Sequence, residues 1–328
     1  MDKVTVIVVN WNGRHHLEEC LSSLSRQTFK NYEIIFVDNG STDGSVNFVE
    51  KNFPHVRVVR LERNEGFCRG NNIGLQNASG EYIALLNNDT RVEPQWLKEL
   101  VREMSNDPEL GICASCMIRY FQPDLIDSAG DGYDNCGVGF KVGNGNQVLE
   151  YRKKRYTFGA CAGAALYRRS MIENLGFFDE DFFAVGEDID LSFRALLAGY
   201  KCLYVPKAIV YHKINQTIGP GSDFLLYQSR RNAEYTYFKN MPLFPMVLTL
   251  PIHLIYNLLT FAQAFFQGKL TVFLKAKRDF LINLIKVCRK RRAIQKRRKI
   301  GFIKLLSSFS SDYLFTRYKF IFKDNRTF

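Results

Sequence analysis

Within the first 120 residues, short apolar runs alternate with stretches of helical period, and this alternation narrows the possible folds more than any other property of the chain. Val4–Val9, Glu33–Val37, Val56–Leu61, Tyr82–Leu86 and Gly111–Met117 read as strands, and His16–Ser25, Ser45–Asn52, Gly66–Asn77 and Pro94–Ser105 as helices. Strand–helix alternation predicts an α/β fold with a largely parallel sheet covered by helices on both faces. Runs such as Tyr82-Ile83-Ala84-Leu85-Leu86 are apolar enough to be buried on both sides. Pro94 after Glu93 suits the first turn of a helix, and Thr42-Asp43-Gly44-Ser45 suits a turn and cap, with Asp43 ordering that turn rather than touching a ligand.

In such sheets ligands bind beyond the carboxyl ends of the strands. Asn87-Asn88-Asp89 closes one predicted strand there, where Asp89 could face a hard cation. A second acidic cluster, Glu187-Asp188, opens an amphipathic helix, and carboxylates at a helix start are favoured by its dipole. One of them could act as a base, although Glu187 and Asp190 share a helix face that Asp188 does not. In the loop Asn64–Gly74, glycines permit close backbone approach, amides can bond a base or phosphate, and Arg69 can neutralise a phosphate.

At 328 residues and 46% hydrophobic content, the chain can bury one large domain plus an appendage. We expect one α/β domain over 1–240, whose first 120 residues form a nucleotide-binding half, and a helical basic region over 241–328. No signal peptide is readable after Met1, so the catalytic part is expected to be cytoplasmic. Cys113 and Cys116 form a lone C-x-x-C, better read with the other cysteines as reduced, buried thiols than as a zinc site.

The net charge of +12 is concentrated at one end. Gly268–Phe328 holds 18 of the 45 basic residues and 3 of the 33 acidic ones. This basic tail follows the apolar, proline-interrupted stretch Met241–Phe266. The pairing suits peripheral attachment to an anionic membrane surface on the inner face of the cell membrane, where each Lys or Arg contributes about 1 kcal/mol. The apolar stretch reads as in-plane or re-entrant helices, as a span, or as helices packed on the domain or in a homodimer. No nucleic-acid-binding module accompanies the basic run, so nucleic acid is not expected as a partner.

Val4-Thr5-Val6-Ile7-Val8-Val9-Asn10-Trp11-Asn12-Gly13, Val37-Asp38-Asn39-Gly40-Ser41-Thr42-Asp43-Gly44-Ser45, the Gly-Asn loop and Leu86-Asn87-Asn88-Asp89 resemble the family 2 inverting glycosyltransferases of the GT-A fold. Further on, Gly163-Ala164-Ala165-Leu166-Tyr167-Arg168-Arg169, Gly176–Phe183 and Glu187–Leu191 look like the bacterial rhamnosyltransferase-like branch. The resemblance covers roughly Val4 to Pro242 and implies that 1–240 is the catalytic domain, with a nucleotide-sugar-binding half over 1–120 and an acceptor-binding half over 121–240. It implies a nucleotide pocket of Val9, Asn10, Asp38, Asn39, Gly66, Arg69, Asn72 and Asn88, with Asp38 reading the base. In isolation Asp38 would read as an Asx turn or helix cap. The resemblance also implies Mg²⁺ or Mn²⁺ held by Asp89 and His212. The family's D-x-D motif has Asn87 as its first residue here, which leaves Asp89 as its only charged member. Asp188 is implied as the base, with Glu187 beside it, and Arg231 within Arg230-Arg231-Asn232 as a neighbour of the diphosphate. The acceptor, a saccharide carried on a lipid, would lie near Gly163-Ala164-Ala165 and Phe182-Phe183-Ala184, under a hairpin or lid formed by Gln122–Tyr156. The expected reaction moves a sugar from dTDP-rhamnose or a UDP-hexose to an acceptor hydroxyl. A sugar-phosphate nucleotidyltransferase and a non-catalytic saccharide- or nucleic-acid-binding protein are the alternatives.

Overall fold

The computed structural model describes residues 3–214, 216, 219 and 221–311. The final part of the basic tail therefore lies outside the described residues. The strands are β1 (Val4–Asn10), β2 (Tyr32–Asp38), β3 (Arg57–Arg60), β4 (Tyr82–Leu86), β5 (Thr90–Val92), β6 (Leu110–Arg119), β7 (Gln122–Ser128), β8 (Asp131–Tyr133), β9 (Gly139–Lys141), β10 (Arg155–Thr157), β11 (Ala164–Arg168) and β12 (Lys201–His212). The helices are α1 (Arg14–Ser25), α2 (Ser45–Asn52), α3 (Gly66–Asn77), α4 (Trp96–Asn106), α5 (Arg169–Leu175), α6 (Glu187–Leu197), α7 (Asp223–Asn240), α8 (Leu243–Phe266), α9 (Leu270–Ile282), α10 (Leu284–Lys296) and α11 (Phe302–Leu306).

The main sheet runs β10-β12-β6-β11-β4-β1-β2-β3, with β5 added beside β12 and β7 beside β6. It is mixed: β1 is parallel to β2 and β4, while β11 is antiparallel to β4 and β6. The first three strands step outward from β1 on one side and β4 lies on the other, so the chain reverses direction across the sheet at β1 and β4. That switch point leaves a crevice at their carboxyl ends. The β1–β2 register places Asn10 opposite Asp38 at its lip.

Alternation along β1 sends Val4, Val6 and Val8 into a layer with Leu17, Leu21 and Trp96, and Ile7 into the opposite layer with Cys68, Tyr167 and Phe182. All eight cysteines are free, and all but Cys161 and Cys288 are buried. Pro94 differs from expectation. It precedes α4, which starts at Trp96, because its carbonyl is used by Thr28 N–H at 2.8 Å.

The stretch expected to be interrupted is one continuous helix, α8. Pro242 is its N-cap and Pro245 lies in its first turn, where a missing N–H costs nothing, so only Pro251 is interior. Its amphipathicity is inverted. The buried face carries Thr249, His253, Tyr256 and Thr260, while Leu243, Phe244, Val247, Leu248, Leu254, Ile255, Leu258, Phe265 and Phe266 are exposed. By length and composition α8 could cross a membrane, and only 28% of its most apolar window is buried.

Candidate active site

The two acidic clusters meet through a short strap. Asp188, at the start of α6, accepts from the Ala162 N–H at 3.2 Å and from the Ile189 N–H at 2.8 Å. The next residue, Gly163, uses its carbonyl to accept from Asn87 N–H at 2.9 Å. Residues 162–163 thus fasten the α6 start to the Asn87–Asp89 turn. A Cβ on Gly163 would lie 3.1 Å from the Asn87 amide, so the strap has little room for a side chain. Ala164 and Ala165, expected at the acceptor site, are instead packed inside β11 in the core.

At the crevice lip, Asn88 donates to Asn10 Oδ1 at 2.7 Å, and Asn10 Nδ2 donates to Ser41 at 3.1 Å and to Asp38 at 3.4 Å. Gly13 permits this junction, since a Cβ there would sit 2.2 Å from the Asn88 amide nitrogen. Asp38 also accepts from Ser41 N–H at 3.0 Å, so the turn-capping interaction and the pocket position coexist. Asn39 ties β2 to the α3 entrance, donating to Asn64 Oδ1 and Gly66 O and accepting from Glu65 N–H. Asp43 accepts from the backbone of Arg14 and Ser45, an ordering role for its turn.

Several predicted pocket residues hold the walls together. Gly66, at φ +87°, lies so close to Phe183 that a Cβ would come within 2.6 Å of it. Arg69 pairs with Glu65 and Glu180, and Asn72 bonds the Phe178 backbone and Glu180. Arg231 braces the Asp181 and Phe182 carbonyls and faces the Tyr227 and Tyr235 rings. Val9, at the end of β1, is partly buried against Gly70.

The structure brings the expected pair Asp89 and His212 together and adds Asp127 and Lys141, which the sequence reading did not include. His212 Nε2 lies 3.4 Å from Asp89 Oδ1, its Nδ1 lies 2.8 Å from Asp127 Oδ2, and Lys141 binds both Asp127 oxygens at 2.9 Å. Burial opposes the charge on Asp89, but the hydrogen bond and charge of His212 outweigh it and hold the carboxyl below its ordinary range. Burial likewise opposes a cationic His212, but the two flanking carboxylates hold the imidazole up to about 9. Asp89 and His212 fit a divalent cation that displaces the Nε2 proton which the two carboxylates otherwise hold on the ring. They offer one carboxylate oxygen and one ring nitrogen side by side, with the other ring nitrogen committed to Asp127. Among the described residues no group of three or more His, Cys, Asp or Glu residues forms a cage, so a cation would need ligand oxygens or water to complete its coordination.

The acids at the start of α6 separate by environment. Asp190 is neutralised by Lys239 at 2.8 Å and Arg194 at 3.0 Å, which makes it part of the scaffold. Burial, then the neighbouring Asp188, pushes Glu187 up to about 8, and Glu187 Oε2 is buried without a partner. Burial also raises Asp188, although its two backbone N–H donors pull the other way. Asp131, on β8, is pushed well above the carboxylate range by burial and by Asp188, and its Oδ2 is unpartnered. Asp127, Asp131 and Lys141 were missed because they lie in the segment expected to be a lid. The available signal was Leu125-Ile126-Asp127-Ser128-Ala129-Gly130-Asp131, where acids sit within an apolar run and so need buried partners.

The profile of glycosyl transferase family 2 matches residues 5–176, more than half of the chain. The chain belongs to glycosyl transferase family 2. Among curated relatives in this family, glycosyltransferase GlyA of Streptococcus pneumoniae is 28% identical over 66% of this chain and 31% of its own length. The N-acetylglucosaminyl-diphospho-decaprenol L-rhamnosyltransferase of Mycobacterium tuberculosis is 28% identical over 66% of this chain and 78% of its own. Putative glycosyltransferase EpsH of Bacillus subtilis is 29% identical, with 61% of its length matched, so the chain spans less than two thirds of some family relatives. Solved structures share the fold. GalNAc-T7 with UDP, GalNAc and Mn²⁺ aligns at a TM-score of 0.58 and 21% identity, covering 73% of this chain and 50% of that one. S. aureus TarS 1-349 aligns at 0.55 and 17% identity, covering 90% of this chain and 90% of that one.

Proposed function

We propose that this family 2 chain is an inverting glycosyltransferase that moves a sugar from dTDP-rhamnose or a UDP-hexose to a hydroxyl of a lipid-linked saccharide during cell-surface polysaccharide synthesis. The observation that carries this reading is the strap at 162–163, which brings Asp188 to the same crevice edge as Asp89. In the proposed reaction the Asp188 carboxylate takes the proton of the acceptor hydroxyl. The acceptor oxygen bonds to the anomeric carbon as the bond to the nucleoside diphosphate breaks, and the diphosphate leaves with the electron pair. Two backbone N–H donors hold Asp188 in place, and burial raises its basicity above that of an exposed aspartate. Asp38, Asn10 and Asn88 form the end of the crevice that would receive the base. Asp89 and His212 would hold Mg²⁺ or Mn²⁺, which when bound offsets the charge growing on the leaving diphosphate.

The exposed apolar face of α8 and the exposed Arg289, Arg292, Lys296, Arg297, Arg298 and Lys299 support peripheral docking on an anionic bilayer, with the catalytic region on the cytoplasmic side. The reading divides the chain into a catalytic region over 1–240 and a membrane-facing helical region beyond it. The decisive test is calorimetric titration of dTDP-rhamnose, UDP-glucose and UDP-galactose with and without Mn²⁺. Metal-dependent binding of one donor is expected, and an absence of binding by all three, with folded protein confirmed, would count against the donor assignment.

A further inference from the structure

Between the α6 start, the β8–β9 hairpin and the α7–α8 pair lies a cleft of about 180 Å³, several times the ~30 Å³ share of one water. Its lining includes Gly139, Gly186, Ile189, Arg230, Thr236 and Tyr256. Arg230 is 9% exposed, and its guanidinium contacts the Tyr256 hydroxyl and lies 5.6 Å from that ring. Its Nε is buried without a partner, and among the described residues it makes no ion pair. The nearby carboxylate is already committed, because Glu234 is shared between His253 at 3.0 Å and Lys277 at 2.5 Å. Buried Arg230 and partly buried Lys277 therefore face one acid, which is already bonded to Lys277. A buried charge without a counter-ion costs several kcal/mol, which an anion in the cleft would offset.

The surroundings say what kind of anion fits. Gly186 and Ile189 flank the Glu187-Asp188 pair, while Tyr256 projects from the helix whose other side exposes Leu254, Ile255 and Leu258. We propose that this cleft binds the phosphate ester of an amphiphilic acceptor, with Arg230 as counter-ion, the saccharide toward Asp188 and the hydrocarbon along α8. This deepens, and rests on, the lipid-linked acceptor reading.

The test uses the full chain and farnesyl diphosphate as probe, followed by calorimetry. Wild type is expected to bind it, Arg230→Gln at least tenfold more weakly, and Arg230→Lys in between, while farnesol shows no dependence on residue 230. Val138→Trp, which fills the cleft rim and keeps Arg230, should weaken the probe as well and covers the case in which Arg230→Gln does not fold. An unchanged thermal shift with UDP and Mn²⁺ shows that the donor side is intact, and a wild type that lacks this shift undermines the donor reading separately. Equal probe binding by wild type and both cleft variants overturns the proposal. So does pyrophosphate binding as tightly as the probe, which would assign the cleft to a free phosphate. Arg230-dependent capture of phosphatidylglycerol vesicles without probe binding would assign it to a bilayer headgroup and overturn the acceptor role.

Discussion

Glu187, Asp188 and Asp190 differ in what surrounds them, and that difference sets their expected behaviour. Asp188→Asn keeps the size of the side chain and one of its two backbone contacts, since the amide has a single acceptor oxygen, but removes the base. Turnover should fall about 10²- to 10⁴-fold with donor affinity retained, and undiminished single-turnover rates would remove Asp188 from the mechanism. Asp89→Ala should abolish metal-dependent turnover and the Mn²⁺ dependence of donor binding, as read by calorimetry. Glu187 gives a pH prediction. Its folded value of about 8 exceeds its ordinary 4.5, so the folded chain keeps this proton longer than the unfolded one. Its stabilising contribution is complete below 4.5 and is lost as pH rises through about 8, at up to ~1.4 kcal/mol per pH unit. Glu187→Gln should flatten that loss in urea titrations, and an identical pH slope in the variant would contradict the assignment.

Helix α8 shows how an element can pass a sequence test and still be misread. Its prolines suggested a break, but position matters more than number, since two of them occupy the cap and first turn. The hydrophobic stripe does not face the protein, because polar groups fill its buried side: His253 bonds the Cys136 carbonyl at 2.8 Å and Tyr237 meets Thr249 at 2.9 Å. If the exposed stripe meets lipid, Leu254→Gln with Leu258→Gln should remove most co-sedimentation with anionic vesicles, since each buried leucine contributes about 1.5–3 kcal/mol. Unchanged pelleting in the folded variant would dismiss the membrane face. Substitution is a cleaner test than truncation, because α9 and α10 brace the catalytic region through Lys277–Glu234 and Lys290–Asp179. The segment expected as a hairpin or lid contains the β8–β9 hairpin, which carries buried Asp131 and partly buried Lys141.

For the molecule as a whole, the basic tail has two uses. Lys286 and Lys290 bind Asp181 and Asp179, which precede α6, and Lys239 links Asp179 to Asp190 at 2.6 and 2.8 Å. Burial opposes the Asp179 charge, but Lys239 and Lys290 hold its carboxyl below the usual range. Its stabilising contribution is present above the unfolded value of 3.8 and is lost as pH falls through the lower folded value. Lys239→Met would take a buried cation from Asp190 and Asp179, leaving them Arg194 and Lys290, and should cost about 3–5 kcal/mol in urea unfolding, more than Lys290→Gln at the partly exposed end. Equal costs would refute the asymmetry. The sequence by itself determined the strand–helix alternation, the edge on which Asn10, Asp38 and Asp89 lie, and the family, because period, apolar runs and local motifs are short-range properties. Tertiary structure alone decided that Asp190 is scaffold, that His212 rests on Asp127 and Lys141, and that α8 turns its apolar face outward. Those outcomes depend on which distant charges share a buried volume, and no local pattern records that.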